Sequence, residues 1–204
     1  MKFEENSPKI EIFSLSEQLH LSLLNLNEFA QHFTLTDKRS IEKQAASYVV
    51  KTILKNNNIE ILYKESGKPY LIGDVKISIS HSHDWLSILF SFNGADIGVD
   101  IEKVRDKILN IKDKFLCKKE LQSLKDAPLE KYTIYWGAKE AIYKTFGITG
   151  LNFAEQIFIE DFTYTHTGGK INAIVTGLNP EKKHTLHYKV LDNYILVYTD
   201  NKGE

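Results

Sequence analysis

The sequence is poor in the features that mark secreted, zinc-binding and membrane proteins. It has one cysteine and four prolines in 204 residues, and the single Cys117 excludes an internal disulfide and a cysteine-rich zinc site. No apolar run approaches the roughly 20 residues that span a bilayer. The N-terminal stretch also lacks the apolar core of a secretory signal. We therefore expect a cytoplasmic protein without a membrane segment.

The charge shows no excess of either sign. Lysine and arginine number 26, aspartate and glutamate number 27, and the formal net charge is −1. The chain as a whole therefore does not attract polyanions, and an anion site would require a local basic cluster. Because no basic stripe with interleaved aromatic residues occurs, we expect no binding to nucleic acid.

Hydrophobic periodicity separates helical from strand-like segments. The predicted elements are a strand at 9–13, helices at 16–30 and from about 37 to the asparagines at 56–58, strands within 59–102, helices at 105–126 and 128–146, and strands near 156–162, 170–176, 185–191 and 194–199. Helices followed by strands, twice over, favour an α+β fold over an alternating β/α fold.

The two halves of the chain hold similar sets of elements. We therefore predict a pseudo-duplicated pair of lobes, 1–103 and 104–204, for which a monomer is sufficient. Within the first half, Asn93-Gly94 stands between two strand-like runs. This dipeptide suits a type I′ turn and predicts a hairpin between those strands.

Two carboxylates end the strand-like run "IGVDIE" at 97–102. Side chains two residues apart on a strand share a face, about 6.5–7 Å apart, so Asp100 and Glu102 project together. A hard cation would relieve their repulsion, and Mg²⁺ prefers carboxylate oxygens; Mn²⁺ accepts them as well. The alternative is that the strand ends here and its acids meet water.

The segment "WGAKEAIYK" at 136–144 places Glu140 and Lys144 one helical turn apart. Apolar residues surround this pair, which predicts a helix that is buried on most sides. Buried charges are costly unless they are paired or bound to an ion. We therefore expect an internal cleft with Glu140 as a third acid and Lys144 facing a phosphate. The alternative is a surface pair at i,i+4.

Several residues of the first half suit phosphate binding. The turn "GKP" carries Lys68, and the strand "VKISIS" ends with Ser80 followed by His81. Lys38 and Arg39 fall in the first turn of a predicted helix, where free N–H groups favour anions. The alternative for these two residues is a solvated helix end.

The run "HSHD" at 81–84 also permits a zinc site, because His-x-His on a strand can bind zinc. It partly matches the H-x-H-x-D-H pattern of metallo-β-lactamase-like hydrolases. The acid falls one position early, however, and Trp85 and Leu86 occupy the next two ligand positions.

Four of these segments, in their order and spacing, resemble the 4′-phosphopantetheinyl transferase family of the longer, monomeric kind. They are "GKP" at 67–69, "ISISHS" at 77–82, "GVDIE" at 98–102 and "WGAKEAIYK" at 136–144. The resemblance implies a pseudo-twofold α+β fold with coenzyme A in the cleft between the lobes. Gly137 departs from the Ser, Thr or Cys more usual in the family. We expect little effect, because Gly137 lies off the face of the helix that carries Glu140 and Lys144.

The resemblance also implies roles for the site residues. Asp100, Glu102 and Glu140 would ligate Mg²⁺. Glu140 and Lys144 would act in catalysis, with a metal-bound water as the alternative base to Glu140. The residues implied to bind coenzyme A are Lys38, Arg39, Lys68, Pro69, Ser80, His81 and Lys144.

The implied activity is transfer of phosphopantetheine from coenzyme A to a serine of an acyl or peptidyl carrier protein, with release of 3′,5′-ADP. Such carriers serve fatty-acid, polyketide and non-ribosomal-peptide synthesis and are usually acidic, so they would dock on a basic surface. The candidate lysines are Lys107, Lys112, Lys114, Lys118 and Lys119. The alternatives are a metal-dependent phosphohydrolase acting on a nucleotide pyrophosphate and a non-catalytic module that binds coenzyme A or a carrier.

Overall fold

The computed structural model describes residues 7–147, 150–178 and 180–200, so part of the N-terminal stretch considered above lies outside the described residues. The strands are β1 Ile10–Ser14, β2 Leu19–Asn25, β3 Leu62–Tyr63, β4 Pro69–Tyr70, β5 Lys76–Ser82, β6 Trp85–Ser91, β7 Val99–Lys103, β8 Ile157–Ile159, β9 Gly169–Val175, β10 Lys182–Leu191 and β11 Tyr194–Thr199. The helices are α1 Leu26–His32, α2 Lys38–Leu54, a 3₁₀ helix Asp106–Asn110, α3 Lys112–Phe115, α4 Lys118–Ser123, α5 Leu129–Phe146 and α6 Phe153–Gln156.

The strands of the described residues form two larger sheets and one short pair. The first sheet has four strands in the order β1-β2-β6-β5, and the second has five in the order β7-β11-β10-β9-β8. Neighbouring strands are antiparallel in both sheets. The α+β class predicted from the sequence is confirmed.

The two sheets face each other across a shared apolar core. Leu21 and Leu89 of the first sheet pack in one cluster with Ile101 and Leu196 of the second. The other face of the first sheet packs against α1 and α2, and the other face of the second packs against α5. The layers therefore run helix, sheet, sheet, helix, and α5 covers the face of β7 opposite the shared core.

A ladder of serine side chains joins the two sheets at their adjoining edges. Serine occupies alternate positions of β5 from Ser78 to Ser82, and each hydroxyl accepts a hydrogen bond from a backbone N–H of β7. The three pairs are Ser78–Val99 at 3.1 Å, Ser80–Ile101 at 3.3 Å and Ser82–Lys103 at 3.3 Å. These bonds satisfy the edge of β7 and hold that strand beside β5.

The helix predicted at 16–30 is wrong over residues 16–25. Residues Leu19–Asn25 form β2, an inner strand of the first sheet, and a helix begins only at Leu26. Leu19, Leu21 and Leu23 alternate along β2 and face the shared core. This period of two is the pattern of a strand, and pairing with both neighbours decides the local structure.

The hairpin predicted at Asn93-Gly94 is also wrong. Gly94 does adopt a positive φ of 74°, and the Asn93 side chain accepts a hydrogen bond from the N–H of Ala95. The flanking strands nevertheless belong to different sheets, because β6 pairs with β2 and β5 while β7 pairs with β11. The turn residues were identified correctly, but long-range pairing overrides the hairpin that they favour.

Most of the remaining helix and strand predictions agree closely with the structure, but the strand predicted near 156–162 is limited to Ile157–Ile159. The second helix begins after the Asp37 cap, and the long helix of the second half lies between Pro128 and Gly147, whose φ is 59°. The helix predicted at 105–126 is divided into three short helices. The strand β7 ends at the predicted boundary at residue 103, and it pairs with β11 as part of the second sheet. The division at residue 103 and the pseudo-twofold relation of the lobes stay predictions.

None of the helices in the described ranges has the length and apolar character that crossing a bilayer requires.

Candidate active site

Asp100 lies at the centre of the candidate site. Its neighbours Val99 and Ile101 enter the core between the sheets, so strand alternation turns Asp100 toward α5. Its carboxylate is almost fully buried. Oδ1 accepts hydrogen bonds from Ser80 Oγ at 2.8 Å and from Lys144 Nζ at 2.7 Å. Oδ2 is buried and has no hydrogen-bond partner among the described residues.

Glu102 lies on the same side of β7, as the i,i+2 spacing predicted. Its Oε1 accepts a hydrogen bond from Trp136 Nε1 at 3.1 Å, and its Oε2 accepts one from Ser82 Oγ at 3.1 Å. Burial raises the pKa of Glu102, and the nearby charge of Asp100 raises it further. The two hydrogen bonds oppose this rise and fix the carboxylate between β5 and α5.

Glu140 is the third acid and comes from α5. Burial raises its pKa from 4.5 to about 7; the charge of Asp100 is the next cause, Lys144 opposes the rise and Glu102 adds to it. Lys144, one turn later on α5, donates a hydrogen bond to Asp100, so this part of the helix lies beside the strand acids. A carboxyl group with a pKa near neutrality is suited to accept and release a proton at physiological pH.

Glu140 and Lys144 line a cleft that also includes residues from the first sheet and the loop before it. Its volume is about 200 Å³, which is below the range of about 300–1,000 Å³ for sites that enclose a drug-sized ligand. It would therefore enclose only part of a nucleotide-sized molecule. The lining residues are Ser66, Gly67, Lys68, Pro69, Ile77, Ser78, Ile79, Glu140, Tyr143, Lys144 and Gly147.

Lys68 crosses the cleft to the end of α5. Its Nζ donates a hydrogen bond to the backbone oxygen of Thr145 and lies 3.6 Å from Asp96. Burial lowers the pKa of Lys68, and the charge of Asp96 opposes this. The predicted residues Lys68 and Pro69 are thus brought together with Glu140 and Lys144 in one cleft.

The other predicted phosphate-binding residues have different surroundings. Ser80 is buried, and its hydroxyl is bonded to Asp100. The Nδ1 atom of His81 lies 3.3 Å from a carboxylate oxygen of Glu42. Lys38 and Arg39 are exposed at the start of α2. Binding of phosphate by these residues stays a prediction.

The oxygen donors fit a hard divalent cation in their chemistry, although they are not gathered as a finished metal site. The buried Oδ2 of Asp100 has no hydrogen-bond partner among the described residues. After burial, the charge of Asp100 is the next cause that raises the pKa of Glu140, and a cation would relieve this repulsion. Within the described ranges, no three His, Cys, Asp or Glu side chains are grouped as a metal-binding cluster. The ammonium of Lys144 is the cation bonded to Asp100. Ligation by Asp100, Glu102 and Glu140 stays a prediction.

The zinc alternative has no support in the geometry. His81 faces Glu42, whereas His83 is 3.4 Å from the hydroxyl of Ser82. Asp84 accepts hydrogen bonds from Asn27 and from the hydroxyl of Tyr194. The three candidate ligands therefore contact different partners.

Comparison with known protein families identifies the superfamily of this chain. The model of the 4′-phosphopantetheinyl transferase superfamily matches residues 96–199, just over half of the chain. This segment includes β7, α5 and the whole second sheet. The chain belongs to the 4′-phosphopantetheinyl transferase superfamily. The family suggested by the sequence motifs is thereby confirmed.

Curated relatives of this superfamily member are similar over shorter stretches. The 4′-phosphopantetheinyl transferase gsp of Aneurinibacillus migulanus is 28% identical over 105 residues, which are 49% of this chain and 44% of the relative. The 4′-phosphopantetheinyl transferase Sfp of Bacillus subtilis is 32% identical over 100 residues, which are 46% of this chain and 44% of the relative. The chain thus spans less than half of the length of these relatives.

Two side chains that orient an acid of this family member were not predicted from the sequence. Trp136 and Ser82 hold Glu102, and Ser80 was assigned to a phosphate although it holds Asp100. The alternation of serine along "ISISHS" was the available evidence, because it places three hydroxyls on one face of a strand. The motif alone does not show which strand that face would contact.

Gly137 adjoins the buried oxygen of Asp100. A Cβ atom at Gly137 would lie 3.4 Å from Asp100 Oδ2 and 3.1 Å from Val197 Cγ2. Gly137 does lie one residue off the face shared by Trp136 and Glu140, as expected. The expectation that its departure from the family pattern has little effect is not supported, because a side chain here would contact Asp100 directly.

We predict that Gly137→Ser stabilises the protein more than Gly137→Ala does. Both replace a helix-interior glycine and press equally on Val197, but only serine offers a hydroxyl to the unpartnered Oδ2. That hydrogen bond should be worth about 1 kcal/mol, or roughly 2–4 °C in midpoint for a chain of this size. Thermal unfolding of the two variants measures the difference, and equal midpoints would contradict the prediction.

Proposed function

We propose that this protein transfers the 4′-phosphopantetheine group of coenzyme A to a serine of an acyl or peptidyl carrier protein. It would act as a cytoplasmic monomer and release 3′,5′-ADP. The observation that carries the proposal is the meeting of Asp100, Lys144 and Glu140 beside one cleft. Family membership supports the reaction class.

The chemistry required of the protein is mainly positioning and charge stabilisation. The carrier serine oxygen forms a bond to the phosphorus nearer pantetheine, and the bond from that phosphorus to the oxygen of the leaving 3′,5′-ADP breaks. Glu140 accepts the proton of the serine hydroxyl, a role that suits its pKa of about 7. Lys144, which lines the cleft, stabilises the negative charge on the phosphates.

Asp100, Glu102 and Glu140 are the residues that would hold Mg²⁺, or Mn²⁺ in its place. A divalent ion bound there would add positive charge next to the phosphates. Asp100 and Glu102 are already oriented by Ser80, Ser82 and Trp136. Their positions are therefore set by the fold before any ligand binds, which is the preorganisation that such a site requires.

Intact-mass analysis of an apo carrier protein tests the proposal. The carrier is incubated with this protein, coenzyme A and Mg²⁺, and a gain equal to one phosphopantetheine group is expected. The same reaction without carrier is the control. Release of 3′,5′-ADP in that control would indicate the phosphohydrolase alternative, and binding of coenzyme A without modification of any carrier would indicate a non-catalytic module.

The basic surface next to the acids is the proposed docking site for the carrier. Glu102 and Trp136 line a second hollow of about 200 Å³ together with Lys107 and Ile111. This hollow connects the acidic site with the lysines that follow β7. Lys107, Lys114, Lys118 and Lys119 are exposed, and Lys112 is half-buried. An acidic carrier would meet positive charge at the entrance to the site.

We predict that reversing Lys112, Lys118 and Lys119 to Glu raises the KM for the carrier by about tenfold or more. Loss of electrostatic steering lowers the rate of encounter and reduces the salt dependence of that rate. The Kd for coenzyme A should stay unchanged, because these lysines do not line the cleft. Steady-state kinetics at two salt concentrations and calorimetry with coenzyme A measure both effects.

A second triple variant provides the control for charge alone. Lys51 lies in the last turn of α2, Lys55 follows that helix, and Lys9 precedes β1. The helix α2 covers the outer face of the first sheet. Reversing these three lysines changes the net charge by the same amount at a different surface. If both triple variants raise the carrier KM equally, net charge alone explains the change. The proposal that the carrier docks at Lys112, Lys118 and Lys119 would then be wrong.

A further inference from the structure

The predicted phosphate-binding residues at the start of α2 surround an acid. Glu42 lies one turn after Lys38, and its Oε1 is 3.7 Å from Lys38 Nζ and 3.3 Å from His81 Nδ1. This oxygen is buried, and neither contact has hydrogen-bond geometry. The Glu42 side chain is 17% exposed, compared with 77% for Lys38. The carboxylate therefore lies beneath the two basic groups.

A second acid occupies the N-terminus of the same helix. Asp37 caps α2, and its Oδ2 accepts a hydrogen bond from the N–H of Ser40 at 2.7 Å. An N–H group that a phosphate would use is thus already bonded to a carboxylate. Asp37 and Glu42 together balance the positive charges of Lys38 and Arg39.

This group of charges adjoins the cleft. His81 shares a strand face with Ile79, two residues earlier on β5, and Ile79 lines the cleft together with Lys68 and Glu140. A donor bound with its pyrophosphate near Glu140 can therefore extend toward His81 and α2. Any phosphate that it places there meets the carboxylate of Glu42 as well as the basic side chains.

We propose that Glu42 is a specificity-determining residue that removes the preference for a 3′-phosphate on the donor. The inference rests on the proposed function, in which the ribose 3′-phosphate of coenzyme A lies against Lys38 and Arg39. Repulsion by Glu42 offsets the attraction of the basic groups for that phosphate. Coenzyme A and 3′-dephospho-coenzyme A should therefore bind with similar affinity.

Titration calorimetry with both nucleotides tests the proposal on the full chain in the presence of Mg²⁺. For the wild-type protein we expect Kd values within about threefold of each other, since the charges of the group balance. Glu42→Gln keeps the shape of the side chain and removes its charge. It should tighten binding of coenzyme A by about tenfold and change binding of the dephospho form by less than about twofold.

Glu60→Gln is the matched control, because it removes one negative charge from an exposed residue outside the group. It should leave the ratio of the two Kd values unchanged. If Glu42→Gln fails to fold, the ratio of the two Kd values for the wild-type protein still tests the proposal. A wild-type preference for coenzyme A of more than about tenfold would overturn the inference.

Carrier modification separates this inference from the proposed function. If a carrier gains phosphopantetheine from coenzyme A but hardly any from the dephospho form, transfer stands and the role of Glu42 is refuted. If neither nucleotide binds and no carrier is modified, the proposed function fails and the inference fails with it. Modification from both donors at comparable rates supports the two together.

Discussion

Glu140→Gln is expected to lower the rate of phosphopantetheine transfer by about 10²–10⁴-fold, the usual contribution of a general base. Glutamine keeps the shape of the side chain but cannot accept the serine proton. Asp100→Ala should abolish transfer as well, because it removes the carboxylate that Ser80 and Lys144 both bind. Single-turnover transfer to a carrier protein, monitored by intact mass, measures both losses.

The same Glu140→Gln substitution should stabilise the protein at high pH. The carboxyl has a pKa of about 7 in the folded protein and 4.5 as its ordinary value. Between these values the folded state holds a proton that the unfolded chain has lost, so stability falls as the pH rises from about 4.5 to about 7. Glutamine does not ionise, so the substitution removes this loss of stability with rising pH. At pH 8 the free energy of unfolding of the variant should exceed that of the wild type by about 2 kcal/mol. This is less than the full pKa shift implies, because part of the Glu140 side chain is exposed to solvent.

Urea unfolding of wild type and Glu140→Gln at pH 5 and pH 8 measures this difference. The two proteins should differ little at pH 5 and clearly at pH 8. Glu160→Gln, at an exposed position outside the cleft, is the control and should change neither transfer nor the pH dependence. Near-native transfer by Glu140→Gln would falsify the role of this residue as the base.

Lys139→Met is expected to destabilise the protein by about 3–5 kcal/mol, the usual cost of leaving a buried charge without its partner. Lys139 and Glu120 are both fully buried, with Nζ 2.7 Å from Oε2. Lys139 also donates to the backbone oxygens of Phe153 and Ile157 at 2.9 and 2.6 Å. Glu120 Oε1 in turn accepts the N–H of Ile159 at 2.9 Å. Methionine would remove the lysine donor from Glu120 Oε2 and from the backbone oxygens of Phe153 and Ile157. Among the described residues, the buried carboxylate would keep only the N–H groups of Cys117 and Ile159 as donors.

Thermal unfolding measures this loss, and the midpoint should fall by about 10 °C for a chain of this size. Lys131→Met is a matched control two turns earlier on α5. Lys131 pairs with Asp161 at 2.7 Å, but the Asp161 side chain is 59% exposed. Loss of this ion pair should therefore cost less than about 1 kcal/mol of stability. Equal midpoints for the two variants would contradict the argument that burial decides the cost.

Neighbouring residues of one motif thus have separate roles. In "KEAIYK", Lys139 points into the core and ties α5 to α4 and β8, whereas Glu140 and Lys144 face the cleft. The cleft position of Glu140 and Lys144 was predicted from the sequence, whereas no role was predicted for Lys139. Helical spacing predicts that Lys139 lies on a different face from its neighbours, but its partner Glu120 is distant in sequence and was not predictable.

The same distinction holds for the first half of the chain. The pattern of α2, with its Asp37 cap, is local, and its position was predicted closely. The strand β2 was mistaken for a helix, and Asn93-Gly94 for a hairpin, because both depend on which strands lie beside them. Glu42 likewise had no assigned role, since only the fold brings His81 against it.

The sequence by itself determined the α+β class, the family, and the spacings that place Asp100 with Glu102 on one strand face and Glu140 with Lys144 on one helix face. Those properties follow from periods of 2 and 3.6 residues, which act over a few positions. Only the tertiary structure decided that α5 would bring Lys144 onto Asp100, that serines of β5 would hold both strand acids, and that Glu42 would lie under the predicted phosphate-binding residues. These contacts join residues far apart in the chain, and they depend on packing and pairing energies that no local pattern contains.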